Sequence, residues 1–209
     1  MQTPINPDLK KITSENEEPR QDFVLWQDFK QGNGIAFEQI VDRFYPELLN
    51  YGVRLIRDKD FAQDCLQDFF VDLWARKERL DNVESVKAYL FLSYRRRLFR
   101  EKERSVWYKF AVQLDDQLDF EGQFNIETYL IEHESRNENL LKLQKSLSKL
   151  SKRQREAIYL RFNQALDYEQ IAKIMEINHQ SAVNLVYEAI RLLRKNWLLG
   201  LYGLAMIFL

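Results

Sequence analysis

The residues best suited to chemistry in this chain lie in EINHQSAVNLVYEAIRLLRKN, residues 176–196. On a helix starting after Asn178, one side would present His179, Gln180, Ser181, Asn184, Tyr187 and Glu188, and the other would gather Ala182, Val186, Ala189 and Leu193 at helical spacing. Gln and Asn amides pair bidentately with adenine, Ser and His donate or accept, and a Tyr ring packs on a thymine methyl or reaches phosphate. That is the chemistry of reading base edges, and it needs no cation on the reading face. Phosphate binding does need one, yet from Asn178 to Ile190 there is neither Lys nor Arg. The cations stand around the stretch instead, at Arg153, Arg155, Arg161, Lys173, Arg191, Arg194 and Lys195.

A second pattern is KAYLFLSYRRRLFREKERSVWYKF, residues 87–110, where Tyr89, Phe91, Tyr94, Phe99, Trp107 and Tyr108 interleave with Arg95, Arg96, Arg97 and Arg100. Arginines hold a phosphate backbone, and exposed aromatic rings stack on unpaired bases, so the combination suits single-stranded or melting DNA. The plainer reading of each aromatic is a ring turned into a core beside a solvated basic face. Catalysis has less to draw on. No phosphate loop, nucleophile triad or paired-acid constellation stands out, so an enzyme with a small-molecule substrate is the weakest reading. A single cysteine, Cys65, and two histidines offer no metal-ligand set and no internal disulfide, and no cofactor is expected.

These residues must be positioned by helices. Only 6 Gly and 4 Pro interrupt 209 residues rich in Leu, Glu, Lys, Arg and Gln, which predicts an all-α chain. The net charge of −1 conceals an asymmetry. Lys87, Arg95, Arg96, Arg97, Arg100, Lys102, Arg104 and Lys109 face only Glu101 and Glu103 in residues 86–109, whereas eight acids face a lone Arg136 in residues 114–138. The expected organisation is a flexible tail over 1–20, a helical domain over 21–110, an acidic linker over 111–135, a second helical domain over 136–197, and an apolar tail, 198–209.

In the first domain, apolar residues from Phe23 recur at helical spacing, interrupted at Gln31-Gly32-Asn33-Gly34, and Pro46 is expected to kink or restart the helix around it. A helix over 59–77 turns Phe61, Cys65, Leu66, Phe69, Phe70 and Leu73 one way and Asp64, Gln67, Asp68 and Asp72 the other. Ser85 is placed to cap the basic aromatic helix. In the second domain, a short helix over 167–175, a turn at 176–178 and the longer helix have the spacing of a helix-turn-helix, with Ala172 at the close approach, Ile177 in the turn and Asn178 as N-cap. A capped αα-hairpin is also a generic packing unit, so spacing alone leaves DNA binding and protein interaction both open.

Two ordered sets of motifs resemble one family. Ala62, Asp64, Gln67, Phe70 and Trp74 match the polymerase-binding pattern A-E-D-x-x-Q-E-x-F-x-x-x-W of the sigma-70 family's extracytoplasmic-function group, and Asp68 keeps its acid. Ala88-Tyr89-Leu90-Phe91 running into Arg95-Arg96-Arg97 is similar to the family's next element. LSKRQRE, 150–156, and LDYEQIA, 166–172, resemble its L-P-x-R-Q-R-E and L-S-Y-E-E-I-A without a gap. The likeness covers about residues 20–196. It departs at Arg96, where the family usually has Asn, at Glu176, where Gly is frequent, and at Val183, Leu185 and Glu188, where basic residues are frequent.

The resemblance implies a promoter-recognition subunit with a region 2-like and a region 4-like domain. Core RNA polymerase would be met by Asp64, Gln67, Asp68, Phe70, Asp72 and Trp74. A melted −10 element would be held by Tyr89, Tyr94, Arg95, Arg96, Arg97 and Arg100, and a −35 duplex by Arg153, Tyr168, His179, Gln180, Ser181, Asn184, Tyr187 and Arg191. The acidic linker could then thread a positively charged RNA path. By analogy the partners include a membrane-anchored anti-sigma factor as well as core polymerase and promoter DNA. The opening MQTPINPDLKK has no apolar core of a secretory signal, which makes the cytoplasm the simplest compartment. The rival reading is a two-domain helix-turn-helix regulator that acts without being a polymerase subunit.

Overall fold

The computed structural model describes residues 20–109, 147 and 149–197. The expected tail, acidic linker and apolar terminus lie almost wholly outside the described residues, as do Leu140, Leu141 and Leu143 and the side chains of Trp107 and Tyr108. Among the described residues all regular structure is helical. We name the helices α1 (residues 20–30), α2 (Gly34–Ile56), α3 (Lys59–Ala75), α4 (Val86–Lys109), α5 (Lys152–Ile158), α6 (Tyr168–Met175) and α7 (His179–Trp197). The chain divides into two compact units: α1, α3, α4 and most of α2 in the first, α5 to α7 in the second.

In the first unit the helical period of the sequence becomes the core. Ala36, Ile40, Phe44, Leu48 and Tyr51 of α2, Ala62, Leu66, Phe69 and Leu73 of α3, and Val86, Leu90, Tyr94 and Leu98 of α4 are buried at steps of three or four residues. Trp26 and Phe29 of α1 close it, and the Trp26 indole N–H donates to the Asp81 carbonyl at 3.4 Å. The turn before α2 is chemically specified. Gly32 takes φ +91, which a side chain resists, and the Asn33 carboxamide oxygen accepts from the N–H groups of Ile35 and Ala36 at 3.0 and 3.2 Å. α2 does not restart at Pro46 but continues through it to Ile56. A proline removes one hydrogen bond from a helix interior, and here that loss is outweighed by the buried stripe on both sides of it.

The expected cap of α4 is present: Ser85 Oγ accepts from the Ala88 N–H at 3.2 Å. One contact fixes where α4 crosses α2. A Cβ on Gly52 would stand 2.8 and 2.9 Å from ring carbons of Tyr94, and the Tyr94 hydroxyl then donates to the Ala62 carbonyl of α3 at 2.8 Å. Gly52 thus clears the space through which one phenol ties three helices together.

The second unit starts on two capping boxes. Ser151 and Gln154 exchange hydrogen bonds at 2.9 and 3.3 Å, as do Asp167 and Gln170 at 3.0 and 2.8 Å. Both sequence motifs shared with the family are, physically, helix starts. Between them α5 widens into a π-turn over Tyr159–Asn163, with the Gln164 N–H reaching back to the Tyr159 carbonyl at 3.2 Å. α6 ends where Glu176 turns left-handed, φ 53 and ψ 50, and Asn178 starts α7 by accepting from the Ser181 N–H at 2.7 Å. Ile171, Ile174 and Met175 of α6 and Ala182, Val186 and Ala189 of α7 form the shared core, and Ala172 is buried at the approach.

Candidate nucleic-acid and partner-binding surfaces

Along α3, Asp64, Gln67 and Asp68 are exposed on one side. Phe70 is buried, in ring contact with Phe37, Tyr45 and Phe69, so it shapes this surface from beneath and presents no ring to a partner. Trp74 is half-buried against Phe29 and Phe37, with the Lys77 ammonium 4.4 Å from its ring centroid. Between these residues stands Val71, 68% exposed, which the sequence reading passed over. Its place three residues after Asp68 and four after Gln67 was the available signal.

On α4 the structure redistributes the expected DNA contacts. Tyr94 is fully buried with its hydroxyl given to Ala62, and burial drives that hydroxyl far above the usual tyrosine range, so it offers no ring for stacking. Arg97 also turns inward. Its guanidinium donates to Asp72 and, at 3.1 Å, to Asp68, leaving the side chain only 11% exposed. Asp72 is held below the usual carboxylate range chiefly by that hydrogen bond from Arg97. Tyr94 and Arg97 therefore leave the DNA surface assigned to them and become ties between α3 and α4, while Asp72, whose side chain is 47% exposed, keeps a half-open carboxylate beside Asp68 and also pairs with Arg97. What remains outward is Arg96 and Arg100, both exposed, Arg95 with its guanidinium 4.6 Å from the Phe99 centroid, and Tyr89, half-buried with its ring edge on Trp26 at 5.2 Å.

In the second unit His179, Gln180, Asn184, Tyr187 and Arg191 are exposed along α7. The Gln180 amide donates to the Asn184 carboxamide oxygen at 3.0 Å, so two prospective readers are already joined. Ser181 is half-buried and, with Asn184, Glu188 and Arg153, lines an open groove floored by Ile177 and Leu185. Tyr168 is half-buried between the Arg161 guanidinium, 5.0 Å from its centroid, and the edge of His179 at 6.2 Å. Lys173 is paired with Glu169 at 3.1 Å. The arrangement gathers Arg153, Tyr168 and the start of α7 around one exposed, mostly neutral helix face. Among the described residues no group of three His, Cys, Asp or Glu side chains could hold a metal ion.

Two family models match the chain. The model of sigma-70 region 2 matches residues 40–108, and that of sigma-70 region 4 matches residues 140–193. The chain belongs to the sigma-70 family, in its extracytoplasmic-function group. The RNA polymerase sigma factor YlaC of Bacillus subtilis (strain 168) is 28% identical over 163 residues, which is 77% of this chain and 91% of that protein. Two solved structures share the fold. CnrH, in complex with the cytosolic domain of CnrY, superposes at TM-score 0.53 with 20% identity over 84% of this chain and 96% of its own. RpoE of Bartonella quintana, in complex with the anti-sigma factor NepR, gives TM-score 0.53 with 24% identity over 78% and 98%. In this sigma factor, α3 and α4 lie in region 2, and α5 to α7 lie in region 4, with α6 and α7 forming its helix-turn-helix.

Proposed function

We propose that this sigma factor acts as a transcription initiation factor, carrying no catalysis of its own: it binds core RNA polymerase in the cytoplasm and directs it to specific promoters. The exposed side of α3, with Asp64, Gln67, Asp68 and Val71, docks on core polymerase. Arg95, Arg96, Arg100 and Tyr89 of α4 hold the melted −10 element through phosphate contacts and one accessible ring edge. Region 4 reads the −35 duplex with Gln180, Ser181, Asn184 and Tyr187, while His179, Tyr168, Arg153 and Arg191 position it on the backbone. The observation that carries this reading is α7 itself: a capped second helix of a helix-turn-helix whose exposed side is amides, an imidazole and a phenol. An anti-sigma factor is a further proposed partner, supported by the RpoE neighbour having been solved with one.

Run-off transcription with core polymerase on genomic fragments tests the proposal. Discrete transcripts that depend on the added chain are expected, together with co-elution of chain and core. Binding to a duplex operator without any affinity for core would instead establish a polymerase-independent regulator.

A further inference from the structure

The exposed side of α7 includes one charge that opposes the attraction of the rest. Glu188 is half-exposed beside Asn184 and Tyr187, and its carboxylate lies 3.5 Å from the Arg191 guanidinium one turn on. The same carboxylate side chain lines the groove that holds Arg153, Ser181 and Asn184. Next to a polyanion, an acid in this position repels phosphate directly and also occupies a neighbouring cation that phosphate would otherwise engage.

We propose that Glu188 is an electrostatic brake on duplex binding. It holds Arg191 back and adds a repulsive charge, so that the chain by itself grips duplex DNA weakly and sequence choice is left to the neutral Gln180 and Asn184. The inference rests on the reading of α7 as the −35 helix. A role as base reader fits less well. Its carboxylate is already paired with a cation, the Arg191 guanidinium. A weak grip is no handicap once region 4 is carried to the promoter by polymerase, because attachment supplies a high effective concentration.

The test is the isosteric variant Glu188→Gln in the full chain. Equilibrium binding to a promoter duplex recovered by run-off transcription, and to a scrambled duplex of equal length, is measured from 50 to 200 mM salt with and without core polymerase. The variant is expected to bind both duplexes roughly 3- to 10-fold more tightly at low salt, with a log–log salt slope steeper by about 0.9, the value of one more phosphate contact. The ratio of promoter to scrambled affinity stays unchanged, and in an Arg191→Gln background the steeper slope disappears. Unchanged affinity and slope would overturn the brake. Weaker binding confined to the promoter duplex would also overturn it, showing that Glu188 reads a base, as a carboxylate can by accepting from a cytosine amine. If wild-type chain with core transcribes but binds no duplex in a salt-dependent way, the placement of α7 fails and the brake fails with it.

Discussion

At the scale of single residues, the backbone explains choices that side-chain chemistry leaves arbitrary. Gly52 sits in a helix interior, where Ala is normally better by about 1 kcal/mol. Tyr94 reverses that preference, because an added Cβ would meet its ring at 2.8 Å. Gly52→Ala is therefore expected to lower stability by about 1–2 kcal/mol, seen as a lower urea midpoint; a higher midpoint would mean that the ring does not pack there. Glu176 is the opposite case. Its left-handed φ of 53 is the conformation that glycine adopts without strain, which accounts for the family's frequent glycine at this point. Glu176→Gly should raise stability by roughly 0.5–1 kcal/mol in the same measurement and leave promoter choice alone.

At the scale of elements, charge on α3 and α4 is partly structural. Asp72 has its carboxyl lowered by Arg97, so its contribution is present above the ordinary carboxylate pKa, near 4, and is lost as pH falls through the depressed value in the folded state. Asp72→Asn is expected to flatten the dependence of the urea midpoint on pH below about 4. An unchanged acid limb would show that the Arg97 tie does not hold in solution. On α7, replacing Gln180 and Asn184 together by Ala should relax sequence preference far more than it changes the salt slope, as a selection of bound sequences would show; uniform loss on every duplex would remove them from the reading face.

Helices, their order, the Ser85 and Asn178 caps and the outward residues of α7 were legible in the sequence because periodicity and capping are local. The uninterrupted passage of α2 through Pro46 was not legible, since it depends on packing partners distant in sequence. The fates of Tyr94 and Arg97 were legible in principle. Three consecutive arginines on a helix spread around its circumference, and Arg97 follows Tyr94 by three residues, on the side that Leu90 and Leu98 bury. Arg95, Arg96 and Arg97 follow the same helical period as the apolar residues, so they do not form one patch. Asp72 and Arg97 were assigned to different macromolecules because nothing local to either predicts that they pair.

At the scale of the molecule, a net charge of −1 resolves into a basic α4, an acidic stretch over 114–138 and an α7 that is uncharged from His179 to Tyr187 and carries its cations only from Arg191 onward. That distribution accords with the proposed reading, in which the two modules act at DNA through attachment to polymerase. The uncharged segment WLLGLYGLAMIFL, 197–209, is shorter than the roughly 20 residues that span a bilayer, and no helix among the described residues is long and apolar enough to cross one. Deleting 198–209 is expected to leave run-off transcription within about twofold while raising the concentration at which the chain stays in solution; loss of core binding would assign the segment to the polymerase interface.

The ties from Tyr94 to Ala62 and from Arg97 to Asp68 and Asp72 bear on mechanics as well as stability. On the proposed reading, in which α3 meets polymerase and α4 an opening strand, a phenol and a guanidinium would make the two helices a single lever. Strain arising as the duplex parts would then pass from one helix to the other rather than be dissipated between them.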